Sequence, residues 1–436
     1  MRRQLALVLG LALAGTGLSA SVPARAVSPV GSRTIAVDDD GHADARGCGR
    51  RAPAHTSIQA AVEAASAGAR VVVCPGVYRE SLTLGPEASG LTIEAMDFWR
   101  AVVAPVIPGG DAITIEGATG VTIRGLGVRP VGGVSTLVVP VGPVLIIPLC
   151  TPAASAVRIA GGGAAQLRSV RIAAARVCGY RRGILVEDGR ASIEHVRVTD
   201  FLTAGIAAGA GGQVSIARTD VRFLHGHRDG ALLGDAIDPE ATGIAIDGAL
   251  GATITRSAVF SVKPKDDVVR PQLWVGIAIR DVAGDVLIRR SGVRRTVRAS
   301  FLVLRSSRVT LRGVWARDSW QDGIYLDEVK GGTVLRGNAL RNGRGIALGS
   351  AAANVSVRDL RSVGSRLLDC HDASSGSATA GTANRWQGVS GATSVPPGIC
   401  GAAALGRTPI GIQDSMASVG ASQRSASSTP HPFRRA

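Results

Sequence analysis

A pair of short strand-like segments recurs along the chain from residue 112 onward, each alternating apolar with polar residues and each closed by Gly, Asp or a basic residue. The pair reads AITIEG then VTIRGLGVR at 112–129, AVRIAG then QLRSVRI at 156–172, GILVED then ASIEHVRV at 183–198, and GIAAGA then QVSIARTDVR at 205–222. Five further copies open at 243, 276, 301, 323 and 345. The first inward apolar residues of the nine copies read as Ile113, Val157, Ile184, Ile206, Ile244, Ile277, Leu302, Ile324 and Ile346, and the basic step between them is 22 residues. Segments of four or five residues with period two, rich in Val and Ile, predict β-strands, and their regular return predicts a solenoid whose turns pair in parallel. Aromatic residues are only 3% of the chain, which suits a narrow coil stacking inward Ile on inward Ile. The expected fold class is all-β, a parallel β-helix of about 10–11 coils.

The ends of the chain read differently. Arg2 and Arg3, an apolar stretch over 5–18 and Ala24-Arg25-Ala26 predict a signal peptide over 1–26. The twin arginines also raise a Tat route, although the residues after Arg3 depart from that consensus and Sec export is the default. The β-helix domain is expected over 27–400, with an N-terminal cap at 34–70 and a C-terminal cap at 366–400. Thr56-Ser57-Ile58-Gln59 opens a capped helix whose apolar face, Ile58, Ala61, Val62 and Ala65, would cover the open end of the coil until Gly68. Residues 369–400 lose the repeat, and the Ser-rich tail 401–436 is expected to be disordered. Elsewhere no apolar run reaches the roughly 18–20 residues of a membrane span.

Without Arg2, Arg3 and Arg25, the chain carries 46 basic and 33 acidic residues, a net charge of +13. Export argues against a nucleic-acid partner and points instead to anionic extracellular polymers. An Arg-heavy composition also arises from biased codon usage alone. Six cysteines in an exported chain imply three disulfides among fifteen connectivities. Pairing of neighbours is favoured: Cys48 with Cys74, Cys150 with Cys178, and Cys370 with Cys400, each loop contributing about 3 kcal/mol.

The opening segment SIQAAVEAASAGARVVVCPGVYRE, with Gly76-Val77-Tyr78-Arg79-Glu80 as a GxYxE element, resembles that of pectin methylesterases and their relatives. GTANRWQG and the closing PPGIC resemble the C-terminal cap of secreted bacterial β-helix repeat proteins. Over roughly residues 34–400 the chain looks like a right-handed parallel β-helix of the pectin-lyase-like superfamily, which includes pectate lyases, pectin methylesterases, polygalacturonases, alginate-acting epimerases and NosD-type proteins. The resemblance implies the fold; the architecture carries many chemistries. The QDT and DFIFG strings of methylesterases, the WIDH and RxPxxR strings of pectate lyases and the DDC and GHG strings of polygalacturonases have no counterpart here. Asp238-Pro239-Glu240 resembles the start of an epimerase DPHE motif but lacks its His, so no catalytic residue carries over.

Where steps exceed 22 residues, the excess falls after the second segment of a copy, which predicts loops stacked along one flank. The longest is the apolar, proline-containing stretch 130–150, expected to form a packed flap or partner patch; the charged ones are 225–242 and 262–274. Candidate catalytic groups on this flank are His225, His227, Lys263, Lys265, Arg270, Asp318 and Asp322. Lysis or epimerisation of a uronate requires a base for the C5 proton and a cation on the carboxylate, whereas hydrolysis requires convergent carboxylates, for which Asp318 and Asp322 are the best pair. Asp229, Asp266 and Asp267 are candidate ligands for calcium, the one cofactor suggested. Trp274 and Trp320 are candidate sugar platforms, and Arg294, Arg298, Arg341 and Arg344 candidate clamps. Each has a plainer reading: a solvated His-x-His, a turn of local ion pairs, an Asp closing a turn, a packed tryptophan ledge. The expectation is a secreted monomer that acts on or binds an anionic polysaccharide in the manner of a polyuronate lyase or epimerase; the alternative is a non-catalytic β-helix protein holding a cell-wall polymer or protein partner.

Overall fold

The structure, a computed structural model of the full chain, describes residues 34–44, 47–105, 109–130, 134–139, 145–150, 153–173, 180–224, 241–262 and 273–401. The expected signal peptide and nearly all of the expected tail lie outside these residues.

Three parallel sheets of thirteen, eleven and twelve strands run along the molecule. The chain visits them in constant order, for example Gly251–Thr255 in the first, Ala258–Val262 in the second and Val275–Arg280 in the third, then Val286–Arg289 back in the first. Eleven consecutive turns, from Arg70–Val73 to Leu368–Asp372, place a strand in every sheet. This is the expected right-handed parallel β-helix. One inward column of the third sheet runs Ile184, Ile206, Ile244, Ile277, Phe301, Ile324 and Ile346, each paired with the next and each wholly buried. β-Branched side chains suit these positions because they pack well against like neighbours on a pleated surface. No helix among the described residues is long and apolar enough to cross a membrane.

The repeating unit has three strands, not two. The second segment of each copy bends in the middle at one residue in the left-handed region, such as Ser169, Arg218, Arg256, Arg290 or Arg336, and crosses from the first sheet to the second. The N–H of each bend residue donates to a carbonyl one turn away, as Arg256 N does to Arg289 O at 3.0 Å, so the bends stack. The inward residue of the copy at 301 also differs from expectation. Phe301 pairs with Ile277 and Ile324, and Leu302 points to the other face, where it packs with Ala278 and Tyr325. A one-residue slip exchanges the faces of a strand, and the run Phe301-Leu302-Val303-Leu304 has no polar residue to mark its period.

A glycine precedes the inward residue of the third sheet in many turns, and packing explains it. A Cβ on Gly205, Gly243 or Gly276 would strike the inward valine of the next turn's second sheet, Val221, Val259 or Val293, and the backbone carbonyl stacked on it.

At the N-terminal end the helix spans Ile58–Glu63 and stops short of Gly68. Its buried Ile58, Ala61 and Val62 face Thr34–Val37, Arg70–Val73 and Leu82–Leu84. Ser57 is the N-cap, accepting from Ala60 N, and Glu80 completes it by accepting from Ser57 Oγ at 2.6 Å, Ile58 N at 2.7 Å and Gln59 N at 2.9 Å. The glutamate of the GxYxE element is therefore a helix anchor, while its buried Tyr78 donates to Cys74 O at 2.8 Å. Within residues 368–400 the last strands are added: Leu368–Asp372 and Ser394–Val395 extend the third sheet and Arg385–Gln387 the first, while among the described residues the second sheet ends at Arg361–Val363. Disulfides Cys48–Cys74 and Cys370–Cys400 are present as expected; the pairing of Cys150 with Cys178 lies outside the described residues. The 130–150 stretch contributes a two-stranded antiparallel hairpin, Val134–Val139 with Leu145–Cys150, as a sheet of its own.

Candidate functional site

All three long excursions leave a second-sheet strand and return at a third-sheet strand. The chain departs after Gly127–Val128, Asp220–Leu224 and Ala258–Val262 and re-enters at Ala153–Ala160, Thr242–Asp247 and Val275–Arg280. Their roots share one corner of the solenoid. His225, His227, Asp229, Lys263, Lys265, Asp266, Asp267 and Arg270 lie outside the described residues.

Higher up the same corner the chain is fully described, and backbone hydrogen bonds stack its turns. Arg298 N donates to Trp274 O at 2.8 Å, Asp322 N to Arg298 O at 2.8 Å and Arg344 N to Gln321 O at 2.7 Å, which sets Trp274, Arg298, Asp322 and Arg344 in ascending order. Behind this column a buried polar stack holds the corner rigid. Ser319 Oγ lies 2.6 Å from both Thr296 Oγ1 and Ser300 Oγ, and Ser319 N donates to Asn342 Oδ1 at 2.9 Å. Such a fully bonded network costs little to bury and restricts the corner to one conformation.

The candidate clamps and carboxylates meet as ion pairs. Arg294 Nε and Arg341 Nη2 approach the two oxygens of Asp318 at 3.1 and 2.8 Å, with Arg317 at 3.6 Å. Arg344 grips the buried Asp322 through both oxygens, at 2.6 and 2.9 Å, and its guanidinium lies 5.7 Å from the centre of the Tyr325 ring. Asp318 and Asp322 are thus each held by their own arginines, an arrangement that fixes guanidinium groups better than it supplies a proton-donating pair. Arg298 has no acidic partner among the described residues. Trp320 is 59% exposed at the flank, and the Arg366 guanidinium stacks 4.9 Å from its ring centre. Trp274 is half-buried against Val275, Ala278 and Leu302, with its Nε1 unpartnered among the described residues, so packing takes most of its ring.

Three residues at this site escaped the reading of the sequence: Tyr325, Arg366 and His371. His371 lies on the outer face of the third sheet, one turn above Ala347 and two above Tyr325. Burial, and then the charge of Arg344, push its imidazole below the ordinary 6.5, while Asp322 and Asp372 oppose the shift. A neutral imidazole beside a guanidinium is a competent proton acceptor. Tyr325 is raised, first by burial and then by Asp327, whose carboxylate accepts its hydroxyl at 3.1 Å. Arg366 N donates to Asn342 O at 2.8 Å, one turn below, while Arg344 itself pairs with Leu368, so the basic 22-residue step does not by itself locate Arg366. Calcium finds no cradle among the described residues of this corner; the one group with metal-ligand spacing, Asp38 with Cys48 and Cys74, has both sulfurs in a disulfide.

No protein-family model matches the chain, and no curated protein matches it. Solved structures do. The chain is similar to pectate lyase Pel9A at 12% identity and TM-score 0.44, over 84% of this chain and 79% of that one. It is similar to the Dettilon tailspike protein at 14% identity and TM-score 0.49, over 83% and 68%. The A-module of the Azotobacter vinelandii mannuronan C-5 epimerase AlgE6 matches at 14% identity and TM-score 0.38, over 78% and 94%. These likenesses concern the fold and leave substrate and reaction open.

Proposed function

We propose that the loop-bearing flank binds an acidic polysaccharide and acts on it by proton abstraction next to a uronate carboxylate, as a lyase or epimerase would. The observation that carries this reading is the gathering of Arg294, Arg298, Arg341, Arg344 and Arg366 around an exposed Trp320 on four stacked turns. A row of fixed guanidinium groups suits a chain of carboxylates, and an exposed indole suits the apolar face of a sugar ring. His371 is the proton acceptor among the described residues, with Arg344 as the cation that would stabilise charge on the substrate carboxylate. His225, His227, Lys263, Lys265 and Arg270, with Asp229, Asp266 and Asp267 as calcium ligands, are proposed to act from the two charged excursions rooted at the same corner. The disulfides are consistent with a non-cytoplasmic location, and secretion is part of the proposal.

Incubation with pectate, alginate and glycosaminoglycans, with and without calcium, tests the reaction through unsaturated-uronate absorbance and C5 inversion. Turnover abolished by His371→Gln would support the assignment. Binding without any product would reduce the site to a non-catalytic receptor, a reading favoured by the occupied carboxylates of Asp318 and Asp322.

A further inference from the structure

Another corner of the solenoid, between the first and second sheets, carries a second column of cations. In its lower turns the charge is balanced. Glu94 lies between Arg70 at 2.9 Å and Arg124 at 3.2 Å, and Glu194 between Arg218 at 3.0 Å and Arg168 at 4.0 Å. From the strand Gly251–Thr255 upward the balance is lost. Five consecutive turns contribute Arg256, Arg289 with Arg290, Arg312, Arg336 and Arg358, all exposed, against the lone carboxylate of Asp359, 4.0 Å from Arg336. Arg256, Arg289, Arg290 and Arg312 have no acidic partner among the described residues.

The outward face beside this column is a row of hydroxyl side chains interrupted once, by Leu287. Register pairing stacks Thr253, Leu287, Thr310, Thr333 and Ser356, one per turn. Toward the lower turns the row continues into a shallow groove of about 610 Å³ lined by Gln166, Ser192, Ser215 and Thr253. Turns are spaced by about 4.8 Å, so five arginine-bearing turns span about 19 Å in a straight line. The corner between the third and first sheets shows no such excess, since Arg305 there is paired with Asp281 at 2.7 Å and lies 4.0 Å from Glu328.

We propose that this edge is a second binding surface, separate from the loop-bearing flank, that holds a linear acidic polysaccharide along the solenoid axis. Its anionic groups would meet the arginine column and its hydroxyls the Thr and Ser row. A single-stranded nucleic acid fits less well, because recognition of its bases relies on aromatic platforms and this row has none. The inference does not depend on any reaction at the other flank.

The test uses the full chain and four probes: alginate, heparin, polyphosphate and neutral dextran, with binding followed over a salt series. Two variants separate the surfaces: R256Q/R289Q/R290Q/R312Q on this edge and R294Q/R298Q/R341Q on the flank. Gln keeps an unbranched, polar and uncharged side chain at the exposed Arg256 and Arg290, whose left-handed backbone already carries a residue other than glycine, so an unchanged Tm should accompany the edge variant. Expected is a loss of at least about tenfold for alginate or heparin in the edge variant, in native and flank-variant backgrounds alike, and a weaker salt dependence. An edge variant that binds as the native chain does, or dextran binding as well as alginate, overturns the surface. Polyphosphate binding as tightly as the acidic glycans, with no loss in T310V/T333V/S356A, overturns the glycan assignment. A flank variant without effect would count against the function proposed for that flank and leave this surface standing.

Discussion

Gly243→Ala should destabilise the protein, although Gly-to-Ala in an extended segment ordinarily stabilises by about 0.4–1 kcal/mol through the unfolded chain. A Cβ at this position falls within contact distance of Val259 Cγ1 and 2.6 Å from the carbonyl oxygen of Gly276, where ordinary contacts begin at 3.4 Å. Val259 is wholly buried, and the carbonyl belongs to the ladder of the next turn, so neither neighbour can retreat cheaply. Overpacking of this kind costs about 1–3 kcal/mol, and a clash with backbone belongs at the upper end. At about 1 °C per kcal/mol for a chain of this size, from an unfolding entropy of about 2.1 cal/mol/K per residue, the Tm should fall by about 3 °C, with the urea midpoint as the more sensitive readout. The fold contains its own rescue experiment. Between Gly276 and Gly323 in this column Ser300 takes the place of the glycine, and there the second-sheet residue of the next turn is Ala316 and not valine. Val259→Ala alone should cost about 2 kcal/mol as a cavity. The double variant should then lie at least about 1 kcal/mol above the sum of the singles, a coupling expected only for groups in contact. Gly401→Ala, where a Cβ meets nothing within 4 Å, is the control and should stay within about 0.5 kcal/mol. Thermal and urea unfolding of the four proteins decide the matter. A Gly243→Ala midpoint equal to that of the control, or strict additivity in the double variant, would refute the close-approach explanation of the glycine column.

Three further outcomes follow from the geometry. Glu80→Ala removes three hydrogen bonds at the N-terminus of the short helix and should cost about 2–3 kcal/mol, read as a lowered urea midpoint together with faster amide exchange at Ile58 and Gln59. His371 has a folded-state pKa below its ordinary 6.5, so the unfolded chain takes up its proton first; its contribution to stability is complete above about 6.5 and is lost as pH falls through the depressed value. His371→Gln should flatten the fall in urea midpoint between pH 7 and 5.5, and an unchanged slope would exclude that shift. Tyr180 is wholly buried, and its hydroxyl has no hydrogen-bond partner among the described residues, so Tyr180→Phe should leave the Tm unchanged or raise it, whereas a drop of several degrees would reveal a bond to that oxygen.

What the sequence disclosed and what it hid have a common physical cause. Period-two segments returning at 22 residues were visible because a stacked coil buries the same position on every turn, and Ile206, Ile244 and Ile277 had no other place to go. The third strand was hidden because its boundary is one left-handed residue, and in Ser169, Arg218 or Arg290 nothing in the side chain announces a positive φ. Phe301 was misread because the strand that holds it is apolar on both faces. The charged site was legible only in part. Asp318, Arg294 and Arg341 were each assigned to the flank, but their pairing links residues 23 and 24 apart, which are neighbours only across turns. Read from turn to turn, the backbone sets Arg366 above Asn342 and pairs Arg289 with Arg312 on the other arginine-bearing edge. In a solenoid, then, the composition of a local segment says little about its electrostatics. Whether a cation is neutralised depends on what stands one turn away, and the upper turns of the arginine edge differ from the lower ones because no glutamate follows Glu194 in that column.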